Sequence, residues 1–168
     1  MNRPLALVAL VALLVSCDSE SSIPNVAGTY TINLKVTKLD CAMLVGELGD
    51  ENTGVNVVFT QDEADRRKVT ATVQNPGRAI LTVFLGNNSF TGTLTGNSLD
   101  LALEGRSKVS TDACAYSQNA RLKATVDKDF LSGTITYSYA TNKASDCGIK
   151  NTCSDEQTVT GSRPATAH

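Results

Sequence analysis

Cysteine and histidine are the side chains that most often carry nucleophilic, redox or metal chemistry, and this chain spends them unevenly. It has five cysteines and one histidine, and the histidine is the last residue, His168. Acyl transfer from Ser or Cys needs a base within hydrogen-bond reach, normally His. His168 ends a polar tail and is poorly placed to be that base. Four cysteines remain once Cys17 is set aside: Cys41, Cys114, Cys147 and Cys153. No Cys-x-x-Cys pair is present, which argues against zinc. An even set in an exported chain points to two disulfides, with three possible connectivities. Cys147 and Cys153 enclose five residues, Gly-Ile-Lys-Asn-Thr, and close easily, which pairs Cys41 with Cys114.

The carboxylates offer little more. Asp50 with Glu51, Asp62 with Glu63 and Asp65, and Asp127 with Asp129 could in principle serve glycoside hydrolysis, which uses two such groups. All fall in turns or loops, where acidic side chains are ordinarily solvated. None follows the EF-hand spacing that calcium requires. Gly-rich phosphate loops are absent. The single cationic triplet, Arg66-Arg67-Lys68, is preceded by Asp62, Glu63 and Asp65, which cancel its field. With 15 Lys+Arg against 17 Asp+Glu, the formal charge is −2. That balance speaks against nucleic acid and against electrostatic binding to anionic lipid. No catalytic residue, metal or cofactor is expected, and the protein is expected not to be an enzyme.

The N-terminus carries an address. Arg3 is its one charge, and residues 5–15 are unbrokenly apolar. A bilayer span needs about 20 residues, so the run suits a signal-peptide core. Leu14-Val15-Ser16-Cys17 resembles the lipobox of bacterial lipoproteins. The resemblance implies that the chain is cut before Cys17 and that Cys17 is acylated on its thiol and its new amino group. Two or more acyl chains anchor stably where one is marginal. Partnership with a membrane through Cys17 and a place in the bacterial cell envelope follow from the same resemblance. Asp18 resembles an inner-membrane retention signal, and the choice between inner and outer membrane stays open. The expected organisation is a signal peptide over 1–16, a lipidated cysteine and polar tether over 17–26, one domain over 27–162, and a flexible tail over 163–168. Nine tether residues reach at most about 30 Å.

The elements that must position everything else read as strands. Apolar and polar residues alternate through Tyr30, Ile32, Leu34 and Val36, and again through Val69, Ala71 and Val73. The same period recurs at Leu99, Leu101 and Leu103, at Leu122, Ala124 and Val126, and at Leu131, Ile135, Tyr137 and Tyr139. Alternation marks strands with one buried and one wet face. Runs 55–60, 79–85, 89–95 and 157–161 are also strand-like. Gly86-Asn87-Asn88, Gly96-Asn97 and Asp127-Lys128-Asp129 supply tight turns. Longer loops are expected at 40–53, 61–67, 106–119 and 141–156. Thr91-Gly92-Thr93-Leu94-Thr95 echoes Ser132-Gly133-Thr134-Ile135-Thr136, each with glycine on the apolar register. Glycine inside a strand marks a bend or a close backbone approach.

These runs imply an all-β domain, an antiparallel meander of eight or nine strands. An up-and-down barrel resembling the lipocalin and avidin-like group is the expected architecture, with a β-sandwich as the alternative. Gly28-Thr29-Tyr30 stands where lipocalins carry Gly-x-Trp, with tyrosine in place of the tryptophan. Such a barrel is either filled by its own side chains or holds one small ligand. The expected function is binding of a small apolar or amphipathic ligand, with Tyr30, Tyr137 and Tyr139 as ligand-facing candidates because tyrosine joins an apolar body to a polar tip. Two alternatives stand beside it. One is a periplasmic inhibitor or interaction protein using the loops at 40–53 and 141–156, and the other is a passive structural lipoprotein.

Overall fold

The computed structural model describes residues 23–164, apart from positions 45 and 112. The signal peptide, Cys17, most of the tether and the last four residues lie outside the described residues. Nine strands form: β1 (Gly28–Leu39), β2 (Glu51–Gln61), β3 (Lys68–Val73), β4 (Ser89–Thr95), β5 (Ser98–Leu103), β6 (Lys108–Thr111), β7 (Cys114–Asp127), β8 (Phe130–Thr141) and β9 (Ser154–Ser162). One helix, α1 (Gly77–Leu85), links β3 to β4, and 3-10 turns at Ser145–Asn151 precede β9. No helix among the described residues is long and apolar enough to cross a membrane.

Every pairing is antiparallel, and the order β5-β4-β3-β2-β1-β9-β8-β7 returns on itself through β5–β7. The sheet is therefore a closed eight-stranded barrel, and β6 stands outside it as a short partner of the first residues of β7. Closure rather than stacking separates a barrel from a sandwich. It rests on two pairings that no local pattern specifies, β1 with β9 and β5 with β7. The alternating apolar positions face inward as expected. Ile32, Val57, Phe59, Val69, Leu101, Leu122 and Val159 are all buried in one core.

Gly92 and Gly133 explain themselves in the closed sheet. A Cβ on Gly92 would sit 2.1 Å from the Asp100 carbonyl oxygen, and one on Gly133 would sit 2.2 Å from that of Lys123. Both glycines let a neighbouring backbone cross close by as the sheet curls.

Two expectations about elements are corrected. Residues 79–85 form most of α1 rather than a strand. A short apolar run does not distinguish strand from helix by itself. Here β3 and β4 already pair directly, Lys68 opposite Thr93 through Thr72 opposite Ser89, so the sheet has no place for another strand. Pro76 opens the helix and Gly86, at φ 67°, closes it in the left-handed region, its N–H donating to the Thr82 carbonyl. The loop expected at 106–119 is largely β6 and the start of β7, because β7 runs on past the barrel rim to pair with β6.

The meander sorts the connections onto two ends. The short turns after β2, β4 and β7 share one end with the start of β1 and the close of β9. That end is shut. Tyr30 is fully buried there, edge-on to Phe59 with ring centroids 4.9 Å apart. The Arg163 guanidinium lies 5.5 Å from the Tyr30 ring centre. Its Nε donates to Asp129 Oδ1 at 2.9 Å, and its terminal nitrogens donate to the carbonyls of Ala27 and Asn25. Arg163, read from sequence as the first residue of a loose tail, is thus 7% exposed and ties the chain ends together. Gln61 adds to the staple, accepting from the Val26 N–H and donating to the Pro24 carbonyl.

The Tyr30 hydroxyl is the one buried side-chain polar atom among the described residues without a hydrogen-bond partner. Leaving a buried hydroxyl unpaired costs about 1–3 kcal/mol. Tyr30→Phe is therefore expected to stabilise the fold, by about 1 kcal/mol once lost contacts are discounted. Burial also raises the Tyr30 ionisation above its ordinary range, against the opposing pull of Arg163. A raised tyrosine holds its proton in the folded state after the unfolded chain has lost it. Wild-type stability then falls as pH climbs past about 10. The advantage of Tyr30→Phe should widen over that same window, and urea midpoints at neutral and alkaline pH check both parts.

Candidate binding cavity

The opposite end carries the long loop before β2, α1, the segment around β6 and the loop before β9. Below it the barrel is hollow, with a cavity of about 360 Å³ open to solvent at that mouth. The volume follows from side-chain choice. There is no tryptophan, and inward positions on β3 and β7 are given to Ala71, Ala120 and Ala124. Val57, Phe59, Leu122, Leu131, Ile135 and Val159 form the apolar wall. From α1, Ile80, Leu81 and Phe84 reach over the mouth and complete the lining, with Ile80 and Phe84 about half exposed.

Polar groups are few and lie in the mouth half. Tyr137 donates its hydroxyl to Gln157 Oε1 at 2.9 Å, and Gln118 lines the same region from β7. Burial pushes the Tyr137 phenol far above its ordinary value, so it is a neutral donor at any physiological pH. Two charged residues line the cavity, Asp50 and Glu51, both exposed at the rim where β2 begins.

The three tyrosines singled out by sequence have different fates. Tyr137 lines the cavity. Tyr30 is the floor packing of the closed end and does not line the cavity. Tyr139 lies at the mouth, outside the cavity, edge-on to Tyr116 at 5.1 Å, with Lys150 Nζ 5.3 Å above the Tyr116 ring. Burial raises the Tyr139 ionisation, and a hydrogen bond with the Gln118 side chain opposes that rise. Sequence reasoning missed Gln118 and Gln157. Each holds an inward position in the alternation, Gln118 in step with Leu122 and Gln157 in step with Val159. A polar residue on an apolar register is the signal that would have found them.

Both disulfides are present, but their pairing corrects the expected one. Cys41 bonds Cys153 and Cys114 bonds Cys147. Sequence proximity favours Cys147 with Cys153, yet the sheet register overrides it. Leu39 of β1 faces Asp155 of β9 in an antiparallel pair. Two residues beyond each lie Cys41 and Cys153, opposite one another at a Cα separation of 5.3 Å. The 3-10 turns fold Cys147 back toward the first residue of β7, Cys114. Both bridges thus stand at the mouth.

Asp155 makes the third clamp. It is fully buried, and its carboxylate accepts from the Cys41 and Met43 N–H groups at 2.6 Å and from Leu44 at 3.1 Å. Met43 and Leu44 are thereby fixed as cavity lining. Charge-assisted bonds are worth about 1.5–3 kcal/mol each. Asp155→Asn replaces one acceptor oxygen with a donor facing backbone N–H groups. It is expected to cost about 2–3 kcal/mol and to speed amide exchange at Met43 and Leu44, read from a urea titration and hydrogen exchange.

No protein-family model matches the chain, and neither a curated protein nor a solved structure shows significant similarity to it.

Proposed function

We propose that this protein is a lipid-anchored, non-enzymatic lipoprotein of the bacterial cell envelope whose barrel binds a small apolar or amphipathic ligand. The observation that carries the binding reading is the open, largely apolar cavity of about 360 Å³. It falls in the range of small-molecule sites, about 300–1,000 Å³. A few convergent polar groups on apolar walls is also the usual make-up of such sites. The anchoring rests on the lipobox resemblance at Leu14-Val15-Ser16-Cys17. The chain joins the barrel at its shut end, so an anchor on Cys17 leaves the mouth facing away from the membrane that holds it.

The strand pairings that close the barrel, and both disulfides, lie within 23–164. A chain running from Asp18 to His168, exported under another signal, therefore keeps the fold. Titrated with N-phenyl-1-naphthylamine, a neutral apolar fluorophore, it should give a saturable rise in emission; a linear response would refute the binding reading. Anchoring has its own check. Full-length protein from membranes should carry acyl mass on Cys17, and Cys17→Ser should lose it.

A second reading, contact with another envelope protein through the mouth loops, draws on one observation. Leu48, Val83 and Ile149 are each at least 66% exposed around the mouth. A cross-linker placed at residue 48 or 149 that captures no envelope protein in cells would remove it.

A further inference from the structure

We infer that the cavity takes an uncharged single-chain amphiphile, its hydroxyl, ester or amide end held at Tyr137 and Gln157 and its chain running toward Leu131 and Phe59. This rests on the binding reading above and adds the chemistry of the ligand. The uncharged polar side chains of the lining cluster in its mouth half, among the apolar residues that α1, Met43 and Leu44 contribute there, and the lining below them is apolar. Near the mouth stand Gln118, Tyr137 and Gln157, joined by the Tyr137–Gln157 hydrogen bond. Ile135 stands level with Gln157, and deeper toward the shut end the lining is Phe59, Leu131 and Val159. At roughly 30 Å³ per water-sized unit of liquid, the space holds about a dozen such units, the bulk of a decyl chain with a small head.

The head must be one that this polar cluster can satisfy. Gln157 accepts from Tyr137 through its oxygen, and its amide nitrogen makes no hydrogen bond among the described residues. A neutral oxygen acceptor on the ligand is the complement of that donor. A carboxylate head meets the opposite conditions. Among the described residues no Lys or Arg lines the cavity, and the two charged residues that do, Asp50 and Glu51, share its sign. Two cations near the mouth are engaged, and Arg78 of α1 is exposed and does not line the cavity. Lys35 is paired with Glu51 at 3.0 Å, and Lys150 sits over the Tyr116 and Tyr139 rings. An ionised group drawn from water without a partner is strongly penalised. An ammonium head gains some attraction at the rim from Asp50, but those charges are exposed and screened, and it forfeits the bond from the Gln157 amide.

Displacement of bound N-phenyl-1-naphthylamine from the Asp18–His168 chain by 1-decanol, decanoate and decylamine at pH 7.5 tests this. Decanol should displace the probe with an inhibition constant at least about tenfold below that of either charged analogue. Decanoate or decylamine within threefold of decanol would overturn the inference while leaving the cavity a binding site. Saturable probe binding that none of the three displaces overturns it equally. A probe that does not bind at all fails the broader reading instead. Gln157→Met should then weaken decanol about five- to tenfold, the worth of one neutral hydrogen bond, and narrow its lead over decanoate. Tyr137→Phe serves if that variant does not fold, and an unchanged lead in the folded variant assigns the head group elsewhere and overturns the placement.

Discussion

Replacing Cys41 and Cys153 together by alanine is expected to lower the free energy of unfolding by about 5 kcal/mol. The bridge spans 112 residues, and chain entropy assigns a loop of that length about 5 kcal/mol at room temperature. Cys114–Cys147 spans 33 residues, which the same account values at about 4 kcal/mol. The two also differ in place. Cys41–Cys153 ties the loop before β2 to the loop before β9, and it neighbours the Asp155 clamp that sets Met43 and Leu44. Its loss should therefore release the cavity wall as well as destabilise the barrel. Cys114–Cys147 ties the head of β7 to the 3-10 turns and holds no part of the segment that carries Met43 and Leu44. Urea unfolding of the two double variants, each beside a fluorophore titration, checks the order of stabilities and the selective loss of binding in the first.

Gly133→Ala is expected to cost about 3 kcal/mol or more, the upper end for overpacking, because the clash is with backbone. The added Cβ would lie 2.2 Å from the Lys123 carbonyl oxygen and 2.5 Å from the Ala124 Cα. Neither can rotate aside as a flexible side chain would. β8 is held on both flanks, by β7 and by β9, so relief on one side strains the other. Gly96→Ala is the internal standard. Gly96 has φ 56° in the turn before β5, and nothing lies within 4 Å of its added Cβ. Its cost is the backbone preference alone, about 1 kcal/mol. Thermal melts of the two variants should differ in that order; equal losses would mean the close crossing of β7 and β8 is not rigid.

Much of the barrel was legible because its signal is local. Alternation through Ile32, Leu34 and Val36, or through Leu122, Ala124 and Val126, needs only the neighbours one and two residues away. Once strands follow one another with short turns, an antiparallel meander is nearly forced, since no segment remains for parallel crossovers. The glycines at 92 and 133 were legible as anomalies on an apolar register, though what they avoid was not. The site was less legible. Gln118 and Gln157 look like isolated polar residues until closure turns them toward one space, and Tyr30 and Tyr139 share an alternation with true lining residues yet lie beyond its two ends.

Residue type and period alone determined that this chain makes pleated strands, that its cysteines suit two bridges, and that its N-terminus resembles a lipobox. Only the tertiary structure decided which cysteines meet, that residues 79–85 coil across the mouth, and that the interior is hollow. Those outcomes depend on register between strands far apart in sequence and on the volume left when eight inner faces converge. Neither quantity is stored in any short stretch of residues. Cys41 meets Cys153 because Leu39 faces Asp155, and that pairing exists only once the last strand has closed against the first.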